Sequence, residues 1–136
     1  GYTAESVHIP YPSTSIVDWV YDAENDDYLR WVANAIHADG LTGEQLTADN
    51  VVILYAVHGT TNIIEDTNGA TAIDIQLTGS GDAVLIRNGV AADCQWIRPD
   101  DGGLLQLYDE DGELVPLNPG QTWIEIVPLD YDVTIE

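Results

Sequence analysis

Polar and apolar residues alternate with a period of two along most of this chain, which predicts half-buried strands and a mainly β fold. Val7-His8-Ile9 reads as a short first strand stopped by Pro10 and Pro12. Residues 16–22 and 28–32 read as two strands of a hairpin around the polar turn Ala23-Glu24-Asn25-Asp26-Asp27. Residues 51–57 are an almost unbroken run of apolar β-formers and predict a central strand covered on both faces. Asp66-Thr67-Asn68-Gly69 carries a hairpin signal, after which Ile73, Ile75 and Leu77 alternate with Asp74, Gln76 and Thr78.

Asn88-Gly89 should join strands over 83–87 and 90–97, and Asp111-Gly112 should join strands over 104–108 and 113–117. Both dipeptides suit a type I′ turn, whose two central residues need positive φ. Pro119-Gly120 marks another turn before a strand over 123–127, and the acidic, alternating tail 129–136 offers a possible terminal strand. Helix signals are thin. Residues 27–37 tolerate a helix but read better as strand plus loop, and residues 42–46 could make one helical turn. The regular spacing of turns predicts an antiparallel sandwich or partly closed barrel built of hairpins, with at most one or two short helical turns. No repeat or linker divides residues 1–136, so a single β-rich domain is expected.

Composition sharpens this picture. Apolar residues make up 45% of the 136, enough for a packed core, and no window approaches the run of about 18 apolar residues that spans a bilayer. Against 24 acidic residues stand three arginines (Arg30, Arg87 and Arg98) and no lysine, a formal charge of −21. That field repels nucleic-acid phosphates and anionic lipid, and favours cationic partners. Its simplest meaning is a well-solvated acidic surface, suited to saline or extracellular surroundings. Cys94 is the only cysteine, so no intrachain disulfide can form, and its apolar flanks predict a buried structural thiol. Methionine is absent, even at position 1, which is expected of a processed product or an excised fragment.

One ordered series of short motifs runs through the chain. It begins with Tyr21-Asp22, Tyr28-Leu29-Arg30, His37-Ala38-Asp39 and Thr42-Gly43-Glu44-Gln45-Leu46. It continues through Asn50-Val51-Val52-Ile53, Gly79-Ser80-Gly81-Asp82-Ala83, Asn88-Gly89 and Trp96. Asp109-Glu110-Asp111-Gly112 and Pro119-Gly120-Gln121-Thr122-Trp123-Ile124 complete it. In order and spacing the series resembles the C-terminal domain of the YerB-like bacterial lipoproteins, a family of uncharacterised function, over about residues 4–128. The resemblance implies an exported or lipid-anchored protein, at the cell envelope or outside the cell, with a further N-terminal domain. It implies no reaction.

The residues offer few chemical constellations. Arg30, His37 and Asp39 could form a small polar site in which Asp39 orients His37 and Arg30 holds an anionic group. A loop network pinning the long connection between Val32 and Val51 is the simpler reading. Asp22, Glu24 and Asp26, with Asp109 and Asp111, are weak Ca²⁺ candidates, since oxygen-rich turns suit that ion. An EF-hand is excluded, because counting from Asp22 places Asp27 where glycine is needed and Ala33 where glutamate is needed. Gly79-Ser80-Gly81 lacks a nucleotide fingerprint's third glycine and its helix, and reads as a turn or bulge. His8 and His58 have no zinc-site spacing. Trp19 and Trp31 could meet as a cross-strand pair and offer an aromatic binding face, whereas Trp96 and Trp123 read as anchors for the second half of the core.

No catalytic set is visible. The expectation is a non-catalytic extracellular or cell-envelope module that binds protein or assembles with copies of itself, through edge or terminal strands such as residues 2–9 or 131–136. No nucleic-acid partner and no cofactor other than Ca²⁺ is expected. The alternative is a small-ligand-binding or hydrolytic domain acting on cell-envelope material, with Arg30, His37 and Asp39 converging in one open pocket.

Overall fold

The structure, a computed structural model, describes residues 1–11, 16–64, 71–75, 78–99 and 104–136. Its strands are β1 (Tyr2–Thr3), β2 (Ser6–Ile9), β3 (Val17–Asp22), β4 (Asp27–Val32), β5 (Ala35–Ile36), β6 (Thr47–Ala48) and β7 (Asn50–Ala56). They continue as β8 (His58–Ile64), β9 (Thr71–Ile75), β10 (Gly79–Arg87), β11 (Val90–Arg98), β12 (Gln106–Tyr108), β13 (Thr122–Pro128) and β14 (Thr134–Ile135). One sheet, here sheet A, runs β1-β11-β10-β7-β13, with β12 also paired to β11. Sheet B runs β14-β2-β3-β4-β5, with β6 also paired to β4, and β8 and β9 pair with each other. The two main sheets pack as a sandwich.

The inner faces of the sheets meet in one core. Val7, Ile9, Val17, Trp19 and Tyr28 come from sheet B, and Val51, Ile53, Val84, Ile86 and Val127 come from sheet A. A second core lies on the far face of sheet A, where Val52, Leu54, Leu85, Cys94 and Trp96 are covered by Leu105, Leu107 and Val115. Because strand side chains alternate, β7 sends Val51 and Ile53 to one core and Val52 and Leu54 to the other. That double burial is why its sequence reads as a continuous apolar run, as expected. Trp96 belongs to the outer core, whereas Trp123 packs edge-on against Trp19 between the sheets. The turn signal at Gly79-Ser80-Gly81 becomes the start of β10, with Gly79 at φ 106. Gly81 must lack a side chain, since a Cβ there would stand 2.6 Å from Trp96 Nε1 and 2.9 Å from the Tyr55 carbonyl oxygen.

Several details depart from the sequence expectations. β13 runs parallel to β7, not antiparallel, with Trp123 beside Val51. Between β11 and β13, Leu105, Leu107 and Val115 pack over the far face of sheet A, and a connection of this length can return the chain in the same direction. Asp111-Gly112 does not make a type I′ turn between two strands. Only Gly112 has positive φ there, the Asp109 carbonyl accepts from the Gly112 amide, and beyond β12 only an isolated bridge joins Tyr108 to Leu114. No helix forms among the described residues. Residues 27–37 are strand, turn and strand, and the helical turn expected over 42–46 is replaced by one over 39–43, closed from the Gly43 amide to the Asp39 carbonyl. The Asn68-Gly69 turn and Leu77 lie outside the described residues.

Candidate functional site

Residue Arg30 stands opposite Trp19 in the β3–β4 register, so both point into the sandwich. Its backbone is fastened first. The Arg30 amide donates to Leu46, and its carbonyl accepts from the His37 amide and from Gln45 Nε2. Its guanidinium then reaches across to sheet A, where Nη2 lies 3.0 Å from Glu125 Oε1 on β13. The arginine and glutamate side chains are 10% and 6% exposed, so this ion pair is buried between the sheets.

A shell of aromatic and polar groups closes around the pair. The Arg30 guanidinium lies 4.4 Å from the Trp123 ring centre and 5.6 Å from that of Trp19, close enough for cation–π attraction. Glu125 Oε1 also accepts from Trp19 Nε1, and Oε2 accepts from the Tyr11 hydroxyl at 2.9 Å. Burial, followed by the Glu125 charge, pushes the Tyr11 phenol above its ordinary range and keeps it a donor. Arg30 Nη1 stands 2.6 Å from His37 Nδ1. Guanidinium only donates, so Nδ1 accepts here. The His37 ring meets Trp123 edge-on, and Tyr131 stacks on Tyr11 and donates its hydroxyl to the Pro10 carbonyl. Five separate stretches of chain therefore meet at one charge pair, and Tyr131 backs it from behind Tyr11.

Asp39 is not part of this cluster. Its Oδ1 accepts from the amides of Leu41 and Thr42, which hold its carboxyl below the usual carboxylate range. The expected convergence of Arg30, His37 and Asp39 is therefore only half realised. Arg30 and His37 meet in a part-buried contact, and Asp39 closes its own loop through the Leu41 and Thr42 amides. Glu125, Tyr11 and Trp123 supply the remaining contacts. The sequence carries a trace of them, a single arginine and a single glutamate at inward positions of apolar strands, but nothing local pairs residues so far apart.

The aromatic pair is also not formed. Trp19 faces Arg30 while Trp31 faces Asp18, so the two indoles lie on opposite faces of sheet B. The acidic turns spend their oxygens locally. Asp22 accepts from the Glu24 amide and the Asn25 side chain, and Asp26 from the Tyr21 hydroxyl and Asn88 Nδ2. Asp109 Oδ1 accepts from the amides of Asp111 and Glu113. Among the described residues no group of three or more His, Cys, Asp or Glu is placed to share a metal ion. Cys94 is buried, which raises its thiol to about 11.

Comparison with known proteins places this architecture. Residues 7–124 match the family described as protein of unknown function (DUF3048), C-terminal domain. The chain belongs to this family. A curated relative, "Putative lipoprotein YerB" of Bacillus subtilis (strain 168), is 31% identical over 115 residues, covering 85% of this chain and 32% of the relative. The crystal structure of the YerB protein from Bacillus subtilis superposes with a TM-score of 0.77 at 28% identity, covering 98% of this chain and 44% of that one. The chain thus spans about a third of the length of the curated relative. The resemblance seen in the sequence is shown in both sequence and fold.

Proposed function

We propose that this domain is a non-catalytic module of the cell envelope that works by binding protein, either another polypeptide or further copies of itself. The observation that carries the reading is where the polar groups have gone. Arg30, His37 and Glu125 are consumed in joining the sheets, and Asp39 in closing its loop. By contrast, several large apolar residues stand exposed, among them Val20 and Ile36 on sheet B, Leu114 on the cover of sheet A, and Ile124 on the edge strand β13. The name of the Bacillus subtilis relative supports an exported location for this chain.

The terminal strands bear on how copies could associate. β1 pairs with β11, and β14 pairs with β2, with further backbone bonds between Ser6 and Glu136. Donating either terminus to a neighbour would first require undocking it, so association through free edges or faces is the less costly route.

Photo-crosslinking in the producing cells tests the proposal. A benzophenone amino acid is placed at Val20, Ile36, Leu114 or Ile124, with Glu24 and Glu110 as controls in solvated turns. Discrete protein adducts confined to one face are expected. Adducts at no position, with the protein folded and exported, would overturn the reading.

A further inference from the structure

The outer face of sheet B combines exposed apolar residues, acidic groups and orphaned polar atoms. Its β3–β4 register places Val20 beside Leu29, and the β4–β5 register places Trp31 beside Ile36, all pointing away from the core. Val20 is 41% exposed and Ile36 53%. Asp18, Val20, Trp31 and Asn34 line a shallow hollow on this face. Apolar residues grouped on one solvated face, not scattered singly, are the mark of a contact surface.

Its polar groups are incomplete. Three buried side-chain polar atoms have no hydrogen-bond partner among the described residues, namely Arg30 Nε, Asp27 Oδ1 and Trp31 Nε1. Two of the three belong to outward-facing residues of β4, on either side of Leu29. These atoms are themselves shut off from solvent, so a partner would meet the exposed remainder of Asp27 and Trp31 and not the orphaned atoms. The two differ in kind, one a carboxylate acceptor and the other an indole donor.

Charge selects the partner. Beside Asp27 stand Asp22, Asp26 and Asp49, all of which repel its ionised form. Asp18, on the same face, is paired with His8 at 2.6 Å. None of the three arginines offsets this charge: Arg30 points inward to Glu125, Arg87 donates to the Pro116 carbonyl, and Arg98 lies on β11 of the other sheet. We propose that the outer face of sheet B, centred on Trp31 and Leu29, docks a basic, amphipathic segment of another polypeptide. Its apolar side chains cover Val20, Trp31 and Ile36, and its Lys or Arg groups reach the Asp22 and Asp27 carboxylates. A second copy fits poorly, because symmetric docking would press this acidic row against its own image in a chain of charge −21. The inference rests on the protein-binding reading above and narrows it to one face and one partner chemistry.

The test uses the whole ¹⁵N-labelled domain and three synthetic peptides of about ten residues, a length matched to strands. One alternates Leu and Lys, one Ser and Lys, and one Leu and Glu. The Leu/Lys peptide should bind at least about tenfold more tightly than the other two, and the gap should shrink between about 0.05 and about 0.5 M salt as charges are screened. Saturable shifts should centre on the Trp31 indole N–H and on amides of β3 and β4. Trp31→Ser with Ile36→Ser, checked for native dispersion, should weaken binding by a further factor of about ten. Equal binding of the Leu/Lys and Ser/Lys peptides, or shifts spread over the whole acidic surface, would overturn the inference. So would sedimentation showing that the free domain dimerises through this face, although the broader protein-binding reading would then survive. Loss of that broader reading would show separately, as an absence of crosslinks at every surface.

Discussion

Asn50 is fully buried, yet it is polar. Its Oδ1 accepts from the Asn118 amide, and its Nδ2 donates to the Asn118 carbonyl and to Thr122 Oγ1, so one side chain holds the turn that launches β13. Asn50→Ala should cost about 2–4 kcal/mol, because it takes the partner from three part-buried hydrogen bonds to Asn118 and Thr122, and urea unfolding would measure the loss. The sequence marks Asn50 only as the polar edge of an apolar run, since its partners lie far along the chain. Cys94 was legible from its flanks, and its burial has a direct consequence. With its thiol raised to about 11, it should resist alkylation at about pH 8 in the folded protein and react once the chain is unfolded. Asp27 behaves in the opposite sense to a paired carboxylate. Burial, then Asp22, Asp49 and Asp26, raise its carboxyl above the ordinary range. A raised acid contributes stability below its unfolded value and loses it as pH rises through the folded one. Asp27→Asn should therefore melt higher than the parent at about pH 7, with the difference gone at about pH 3, where both side chains are neutral.

Among the elements, the turns show most clearly what the sequence reveals and what it conceals. Asn88-Gly89 adopts φ values of 55 and 75, closing Arg87 onto Val90 as its chemistry requires. Ala33-Asn34 does the same, at φ 52 and 64, between Val32 and Ala35, although alanine gives no sign of it. The left-handed conformation costs an alanine roughly 1 kcal/mol or more. Ala33→Gly or Ala33→Asn should thus raise stability by about 0.5–1 kcal/mol in thermal unfolding, unless the added backbone freedom of glycine offsets it, in which case the asparagine variant alone gains. Asp111-Gly112 illustrates the reverse. The dipeptide is right for a hairpin, but the Asp109 carboxylate caps the following amides and settles a different turn. Local chemistry located the turns at Asn88-Gly89 and Asp111-Gly112, fixed the type of the first alone, and missed the one at Ala33-Asn34. The parallel placing of β13 was beyond its reach altogether, because it depends on the path of the long connection over sheet A and on the Asn50 clamp.

At the scale of the molecule, the acidic charge and the buried ion pair pull in opposite directions. With 24 acidic residues against three arginines, the exposed carboxylates repel one another, so added salt should raise the melting temperature between about 0.05 and about 0.5 M, as screening relieves the compact state first. The sandwich itself was legible from the strand alternation. How the two sheets are pinned was not, because Arg30 and Glu125 lie on different sheets and each looks like an isolated polar residue in its own strand. Their pairing is what joins the sandwich: the groups best suited to chemistry hold the sheets together instead. The most direct measurement is the unfolding free energy of Glu125→Ala, Arg30→Met and the double variant, taken as a thermodynamic cycle. Each single change should cost about 3–5 kcal/mol, and the double change markedly less than their sum, because removing both charges leaves neither one buried alone. Single variants that fold with stability within about 0.5 kcal/mol of the parent, or costs that simply add, would contradict it.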